Sequence, residues 1–388
     1  MALRGNWMKN LLDSIVNYAL ESFLILVKVF LTPIGKYTRD EDIWVFCDRL
    51  NGGFSDNSKY LYLHLDQSVT ESRPIWLTSN PSLKSQLIER GFEAYLTREL
   101  KGIYYILRAG NIATSYGIPT RALGFTGGAT LIHLWHGVPL KSLDVSTTLS
   151  FHPRNFIRYD FVVANSESEK DSLSKMINFE SLIVSGYPRN DIFYNDFSGK
   201  NIGVDDKSLA KLSNLDCDLV FGYFPTGREY EKTIPIPFKH LDAELEKINS
   251  YLIASPHPHQ EFESDLSQFE RIIIHPSNRD LYPLFEYIDV MIADYSSIYF
   301  DFLHIDRPII FYPFDLSMYS KNRGFHLDYD SVSPGYHAQS FDMLIEYLHI
   351  IRYFDAHDYN RTAVRQQVFE HRDGMSGQRI VEEVRDKR

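Results

Sequence analysis

The sequence predicts an α/β protein made of two Rossmann-like domains that face a cleft. Short apolar runs alternate with helical stretches from about residue 42 onward, which is typical of parallel sheets covered by helices. A polar stretch, Asn195–Asn214, interrupts this alternation near the middle of the chain. The 388 residues also exceed what one compact core usually holds. We therefore expect an N-terminal segment (1–39), a first α/β domain (40–194) and a second (195–388).

The predicted strands are short apolar runs, and helical patterns separate them. In the first half the strands are Asp42–Phe46, Pro74–Thr78, Ile112–Thr114, Ala129–Leu134, Phe161–Ala164 and Leu182–Val184. In the second half they are Leu219–Tyr223, Tyr251–Ala254, Arg271–Ile274, Val290–Ala293 and Pro308–Tyr312. The helices are Ser58–Leu65, Leu83–Arg90, Glu167–Met176, Phe238–Asn249, Asp280–Tyr287 and Ser297–His304. Ligands of parallel sheets bind beyond the carboxyl ends of strands, so polar residues that follow strands are the first candidates for a site.

Composition argues against several classes of protein. A formal net charge of −11 disfavours a general nucleic-acid binder. The two cysteines, Cys47 and Cys217, lie far apart and form no CxxC pair, which indicates a reducing compartment and no zinc site. Asp294 has no second acid at DxD spacing, and GFTGG at Gly124–Gly128 precedes a strand instead of joining strand to helix. We therefore predict neither a protein-bound metal nor a tightly bound cofactor.

The N-terminal segment has an amphipathic helical pattern. Its polar stripe consists of Asn10, Asp13, Asn17, Glu21 and Lys28, and its apolar face of Leu12, Ile15, Val16, Ala19, Phe23, Leu26 and Phe30. Five basic residues against two acids give residues 1–39 a net charge of +3. The charges interrupt the apolar run too often for a membrane-spanning helix, and no signal-peptide cleavage site is visible. The segment is either a helix that lies on an anionic membrane surface or one that packs on the first domain's core.

The stretch His133–Lys141, HLWHGVPLK, is the strongest local candidate for a site. His136 lies between an aromatic residue and a glycine, where a predicted strand gives way to a loop. Gly137 lets the backbone approach a substrate closely, and Lys141 supplies a point charge for an anion. A histidine packed beneath a loop would give the same dipeptide, so the assignment depends on motifs elsewhere in the chain.

Polar motifs also follow three predicted strands of the second half. They are Thr226-Gly227-Arg228, His257 and Asp294–Ser297. Ser296 and Ser297 stand where strand turns into helix, so their hydroxyl and backbone N–H groups suit a phosphate, although a plain helix cap would look the same.

Three further residues are weaker candidates. Asp301, one turn beyond the serines, is expected either to accept from ribose hydroxyls or to face solvent. Arg189 and Asn190 follow Pro188 in a turn toward the cleft, and either bind phosphate or close the first domain.

Together these motifs resemble the CDP-glycerol glycerophosphotransferase family, the primases and polymerases of wall teichoic acid and related capsules. The resemblance covers about residues 40–340. The matching segments, in family order, are FSDNSKYLYLHL (Phe54–Leu65), LWHGVPLK (Leu134–Lys141), SGYPRND (Ser185–Asp191), FPTGRE (Phe224–Glu229), PHP (Pro256–Pro258), ADYSSIYFDF (Ala293–Phe302) and RPIIFY (Arg307–Tyr312). The family commonly has Trp where this chain has Gly227, and often a basic residue where it has Ser255.

The resemblance implies a GT-B fold, a CDP-glycerol or similar CDP-alditol donor, CMP as by-product and peripheral attachment to the cytoplasmic face of the membrane. It assigns the general base to His136 and the second essential histidine to His257. On this basis Thr226, Arg228, Ser296, Ser297 and Asp301 are expected to bind donor or phosphate. Gly137, Lys141, Arg189 and Asn190 are expected to bind acceptor or phosphate.

The predicted function is transfer of an alditol phosphate to a hydroxyl of a lipid-linked glycan. A chain with one transferase unit favours a primase that adds one unit over a polymerase. The alternatives are a GT-B glycosyltransferase with a nucleotide-sugar donor and a non-catalytic subunit of a capsule assembly complex. The expected partners are the lipid-linked acceptor and an anionic membrane surface, without nucleic acid; the sequence predicts no oligomeric state.

Overall fold

The structure, a computed structural model, describes residues 20, 22–47, 53–142, 157–228, 230, 233–234, 236–257, 261–262 and 266–387. The amphipathic pattern predicted for residues 10–19, together with Glu21, lies outside the described residues. So do Arg4 and Lys9, which contribute to the predicted positive charge of the segment.

A seven-stranded parallel sheet forms the first half of the molecule. Its strands follow the order β3-β2-β1-β4-β5-β6-β7. They are β1 (Asp40–Cys47), β2 (Arg73–Thr78), β3 (Ala94–Leu96), β4 (Ala109–Thr114), β5 (Thr130–His133), β6 (Tyr159–Ala164) and β7 (Phe179–Val184). The last five residues of β1 and all of β4 are buried, because helices cover both faces of the sheet.

A six-stranded parallel sheet forms the second half, in the order β12-β10-β8-β13-β14-β15. Two short strands, β9 (Thr233–Ile234) and β11 (Glu261–Phe262), pair separately. The others are β8 (Leu219–Tyr223), β10 (Ser250–Ala254), β12 (Ile272–Ile274), β13 (Val290–Ala293), β14 (Ile309–Phe311) and β15 (Tyr336–His337). The sequence analysis located every strand of both large sheets except β3 and β15.

Helices connect and cover the strands. The first, α1, spans residues 22–38. The others are α2 (Asp56–Ser68), α3 (Pro81–Glu89), α4 (Leu100–Arg108), α5 (Thr120–Leu123), α6 (Lys170–Ser174), α7 (Asp206–Leu212), α8 (Phe238–Lys247), α9 (Ile298–Phe302), α10 (Leu316–Asn322), α11 (Tyr329–Val332), α12 (Phe341–Ile350), α13 (Asp358–Val368) and α14 (Ser376–Asp386).

The last helix returns to the first half of the molecule. Asp191 accepts hydrogen bonds from the backbone N–H groups of Ser376 and Gly377, at 3.2 and 2.9 Å, and so holds the start of α14. The helix then packs against α2. The expected second domain, 195–388, therefore contains one helix that packs on the domain expected at 40–194.

The N-terminal helix α1 packs on the first sheet through glycines. A Cβ atom on Gly35 would stand 2.1 Å from the Gly127 carbonyl oxygen, and one on Gly127 would stand 2.5 Å from the Lys28 carbonyl oxygen. At the end of α1, the Arg39 guanidinium donates to the carbonyl oxygens of Ile106, Ala109, Phe125 and Gly127. The glycines of the GFTGG sequence thus allow the backbone of α1 to approach this loop closely.

The other face of α1 is apolar and exposed. Burial lowers the pKa of Lys28, against the attraction of Asp160, so this member of the predicted polar stripe lies on the packed side. The exposed side chains are Leu20, Phe23, Leu26, Val29, Phe30, Ile34 and Tyr37. None of the described helices is both long enough and apolar enough to span a membrane.

Candidate active site

A cavity of about 450 Å³ lies between the carboxyl edges of the two sheets. Loops from both halves line it, as expected for parallel sheets whose strand ends face each other. Of the eleven residues predicted for the site, eight contribute to this lining: His136, Gly137, Lys141, Arg189, His257, Ser296, Ser297 and Asp301. Three do not belong to the described lining: Thr226, Arg228 and Asn190.

His136 stands exposed in a loop whose other residues are buried. The loop follows β5, and Trp135 adopts a left-handed backbone with φ of 57°, which is strained for a bulky side chain. The Trp135 indole N–H donates to the Gly137 carbonyl oxygen at 2.7 Å and stabilises this turn. The imidazole of His136 stacks on the Tyr116 ring, with centroids 5.0 Å apart. The loop therefore presents one ring to the cavity.

Asp56 is a cavity residue that the sequence analysis missed. Its backbone has φ of 61°, and its carboxylate accepts from the Tyr116 hydroxyl, the Asn57 N–H and the Arg189 guanidinium, at 2.5, 2.7 and 2.9 Å. Burial alone would raise the pKa of Asp56, but Arg189, Tyr116, Asn57 and nearby His136 hold it below its ordinary value. The carboxylate of Asp56 thus interacts electrostatically with the nearby His136 imidazole.

The guanidinium of Arg189 is bound by protein groups from both halves. It donates to Asp56 at 2.9 Å, to Asp301 at 2.7 Å and to the His136 carbonyl oxygen at 3.0 Å. A Cβ on Gly137 would stand 2.9 Å from its Nη2 atom, so the glycine makes room for this contact. Two carboxylates already balance the charge of Arg189, and its predicted binding of phosphate stays a prediction.

Asp294 explains why Thr226 and Arg228 lie away from the cavity. Its fully buried carboxylate accepts from the Thr226 N–H at 3.0 Å and from Arg228 Nη1 at 2.8 Å. Arg228 also forms a two-point ion pair with Asp315, at 2.7 and 3.0 Å. Asp294 thus draws the loop after β8 toward the loop after β13 and holds both residues outside the described lining; their predicted phosphate-binding role stays a prediction.

Asn190 and Asp301 also have contacts that the sequence analysis did not foresee. The buried Asn190 side chain bonds His304 Nε2 of the second half at 3.1 Å, so it joins the two halves; its predicted ligand-binding role stays a prediction. Asp301 accepts from the Tyr282 hydroxyl at 2.8 Å and pairs with Arg189, so it does not face solvent. Burial raises the pKa of Asp301, against the influence of Arg189.

The serine pair lies at the start of α9, with both side chains partly exposed in the cavity lining. Within the described chain the hydroxyl of the N-cap residue Ser297 makes no cap hydrogen bond, so the plain-cap alternative does not account for it. The Ser296 N–H donates to Asp294 at 3.2 Å. Because α9 has only five residues, its dipole contributes less than the sequence analysis assumed, and the two hydroxyls are the main polar groups here.

Lys141 comes from the first half but lies beside cations of the second. A bridge between Lys141 and Phe325 joins the two halves at this point. Burial lowers the pKa of Lys141 to about 8; Asp294 opposes this shift, while Arg323 and Arg228 add to it. In the described part of the chain no cluster of three or more His, Cys, Asp or Glu residues suits a metal ion.

Two parallel sheets and a polar, histidine-containing cavity lined by both halves define an α/β protein with a binding site. Comparison with known families then identifies the family. The CDP-Glycerol:Poly(glycerophosphate) glycerophosphotransferase family model matches residues 31–386, so the chain belongs to this family of enzymes. The family that the sequence motifs indicated is confirmed.

Several characterised relatives carry teichoic acid names. The chain is 26% identical to a teichoic acid poly(glycerol phosphate) polymerase of Bacillus spizizenii, over 93% of this chain and 97% of that protein. It is 24% identical to a teichoic acid glycerol-phosphate primase of Bacillus subtilis, over 76% of each chain. Solved structures of the wall teichoic acid polymerase TagF share its fold, with a TM-score of 0.71, 22% identity and 98% coverage of both chains.

Proposed function

We propose that this protein transfers glycerol phosphate from CDP-glycerol to a hydroxyl of a lipid-linked glycan and releases CMP. The observation that carries the proposal is that His136 and His257, from opposite halves, line one cavity together with Ser296 and Ser297. Membership of the family supports the donor class, and one TagF structure was obtained after a soak with CDPG.

In the proposed reaction the acceptor hydroxyl attacks the phosphorus of the glycerol phosphate. A new P–O bond forms while the P–O bond to CMP breaks, and the hydroxyl proton passes to His136. A histidine suits this role because its pKa lies near neutrality. The nearby carboxylate of Asp56 then stabilises the imidazolium ion, as a carboxylate does in other histidine-based sites.

On the donor side, the negative charge on the diphosphate requires positioned donors. His257, Ser296 and Ser297 supply them from the second half, and Lys141 supplies a cation from the first half. Because these groups lie on both walls of the cavity, donor and acceptor meet between the sheets, as in the GT-B architecture that we propose for this chain.

Nucleotide release from different donors tests the proposal. Purified protein is given CDP-glycerol, CDP-ribitol or a UDP-sugar together with a short acceptor analogue that ends in a hydroxyl. We expect CMP from CDP-glycerol and no UDP from the sugar donor. UDP release would instead establish the glycosyltransferase alternative, and a lack of turnover with every donor would favour a binding subunit.

The number of units added is measured by mass spectrometry of the product. The sequence analysis favoured a single addition because the chain is short. That argument loses its force, since the chain covers 97% of a relative named as a polymerase. A primase gives one added glycerol phosphate at any donor excess, whereas a polymerase gives a ladder.

We also propose that α1 attaches the enzyme to the cytoplasmic face of an anionic membrane. Its exposed face carries Phe23, Leu26 and Phe30, each more than half exposed, while its other face rests on the first sheet. An apolar helical face that is left open in a folded chain suits the boundary between lipid headgroups and acyl chains. A lipid-linked acceptor would be reached from the same surface.

A further inference from the structure

Gly227 lies in direct contact with the imidazole of His257. A Cβ atom added to Gly227 would stand 2.5 Å from His257 Nδ1, 2.7 Å from Cε1 and 2.8 Å from Cγ. These separations are far below van der Waals contact, so even one methyl group requires a displacement. The backbone of Gly227 is not left-handed, so a side chain at this position is disfavoured by its contact with the His257 ring and not by backbone conformation.

The loop that carries Gly227 is fixed on both sides. The preceding N–H, of Thr226, donates to both oxygens of Asp294, and the following side chain, of Arg228, is bonded to Asp294 and Asp315. Arg228 also donates to the Thr226 carbonyl oxygen at 2.8 Å and so closes the loop on itself. Asp294 is fully buried. A methyl group added at Gly227 is therefore expected to displace the partly exposed His257 ring and not the loop.

The ring is also oriented by this contact. The atom of His257 nearest to Gly227 is Nδ1, and Nε2 is not among the three nearest ring atoms. His257 follows β10 and lines the cavity. The loop backbone therefore faces the Nδ1 side of the ring, and Nε2 lies farther from it.

From this geometry we infer that Gly227 is a positioning residue for the reaction. The backbone of residues 226–228 is the surface on which the His257 imidazole rests, and it directs Nε2 toward the donor phosphate. This inference builds on the proposed role of His257 in transfer of glycerol phosphate.

A double-mutant cycle separates positioning from a general structural role. Gly227→Ala in the wild-type chain should lower kcat about 10²-fold, the usual consequence of misplacing a reacting group by an ångström. In a His257→Ala background the same substitution should cost nothing beyond about twofold, because the group that it displaces is gone. Equal losses in both backgrounds would overturn the inference.

A measurement without substrate tests the contact itself. Protein labelled with ¹³C at histidine is compared by NMR before and after Gly227→Ala, with His257→Ala and His136→Ala used to assign the two signals. We expect the His257 signal to move and the His136 signal to stay, with an unchanged unfolding midpoint. An unmoved His257 signal would refute the contact. If the protein proves to use another donor, the NMR result still stands, so failure of the proposed function is distinguishable from failure of this inference.

Discussion

At the scale of single residues, the two histidines of the cavity are expected to have different roles in the same transfer step. His136→Ala and His257→Ala should each lower turnover by about 10²–10⁴, the usual contribution of general acid–base help, without unfolding the protein. His240→Ala is the matched control, because His240 lies on α8 with its side chain about half exposed. Near-normal turnover by His136→Ala would remove it as the base.

Lys141 should make donor binding depend on pH. Its pKa, lowered to about 8 by burial, means that raising the pH through that value removes the positive charge that attracts phosphate. The KM for CDP-glycerol should therefore rise above about pH 8, by at most about tenfold per pH unit. Lys141→Arg keeps the charge at these pH values and should flatten the profile. A wild-type KM that is constant up to about pH 10 would contradict this role.

A position in the cavity was predictable from the sequence where one motif supplies the whole environment. His136 was found because an aromatic residue, a glycine and a strand end all lie within its own loop. Asp56 was missed because its place in the cavity depends on its interactions with His136 and Arg189, and only the fold brings these three residues together. The ion pair of Arg228 was not foreseen for the same reason, since Asp315 pairs with it from 87 positions along the chain.

At the scale of elements, the start of α9 should bind the donor. Replacing Ser296 and Ser297 with alanine should weaken CDP binding more than acceptor binding, because their hydroxyls face the cavity from the second half. Each lost hydrogen bond to a charged oxygen is worth about 1.5–3 kcal/mol, or at least about tenfold in Kd. Calorimetry with CDP measures this directly. Unchanged CDP affinity with a shift in acceptor saturation would reverse the assignment of donor to the second half.

The exposed face of α1 should hold the protein on vesicles. Substituting Phe23, Leu26 and Phe30 with serine should release it from anionic vesicles in co-sedimentation, since buried apolar area drives such binding. Salt should weaken binding only in part, because Arg39 and Lys28 are engaged with the first sheet and not with lipid.

Tyr353 and Phe354 provide the control for this experiment. Both are exposed, at 83% and 63%, but they lie in the second half after α12. Serine at both positions should leave vesicle binding unchanged. If the α1 variant binds vesicles as the wild type does, the helix serves the fold alone.

Elements were predictable where a hydrophobic pattern was long enough to be read. The strands β3 and β15 have three and two residues, too few to show a period. The predicted helix Glu167–Met176 does not begin with a capping box between Ser166 and Glu169, because Glu169 turns inward and accepts from the Tyr187 hydroxyl at 2.7 Å. Tertiary contacts therefore determine these two strands and this helix start, and the local sequence pattern does not show such contacts.

At the scale of the whole molecule, buried charged contacts join the two halves. Lys59 in α2 donates to Asp280 of the second half at 2.6 Å, and both side chains are fully buried or nearly so. Arg189 joins Asp56 of the first half to Asp301 of the second, again with all three side chains largely buried. Because α14 also crosses between the halves, the geometry of the cavity depends on contacts that no single domain contains.

Removing Arg189 should therefore destabilise the whole molecule. Arg189→Met leaves two buried carboxylates without a cation, which costs about 3–5 kcal/mol when a buried pair is broken. Since burial already raises the pKa of Asp301 with Arg189 present, its pKa should rise further in the variant. The sign follows: a carboxyl whose folded pKa is raised destabilises the fold at neutral pH, and stability returns in part as acid protonates it. Urea unfolding at several pH values measures both effects.

Two comparisons make the outcome specific to the buried contact. Adding Asp301→Asn to Arg189→Met should restore part of the stability, because it removes one of the two unpaired charges. Arg73→Met breaks the ion pair with Glu93, whose side chains are 51% and 27% exposed, and should cost only roughly 0–1 kcal/mol. If Arg189→Met unfolds at the same urea concentration as Arg73→Met, at every pH, Arg189 does not hold the halves together. A low kcat in Arg189→Met would then come only from loss of the hydrogen bond that Arg189 donates to the His136 carbonyl oxygen.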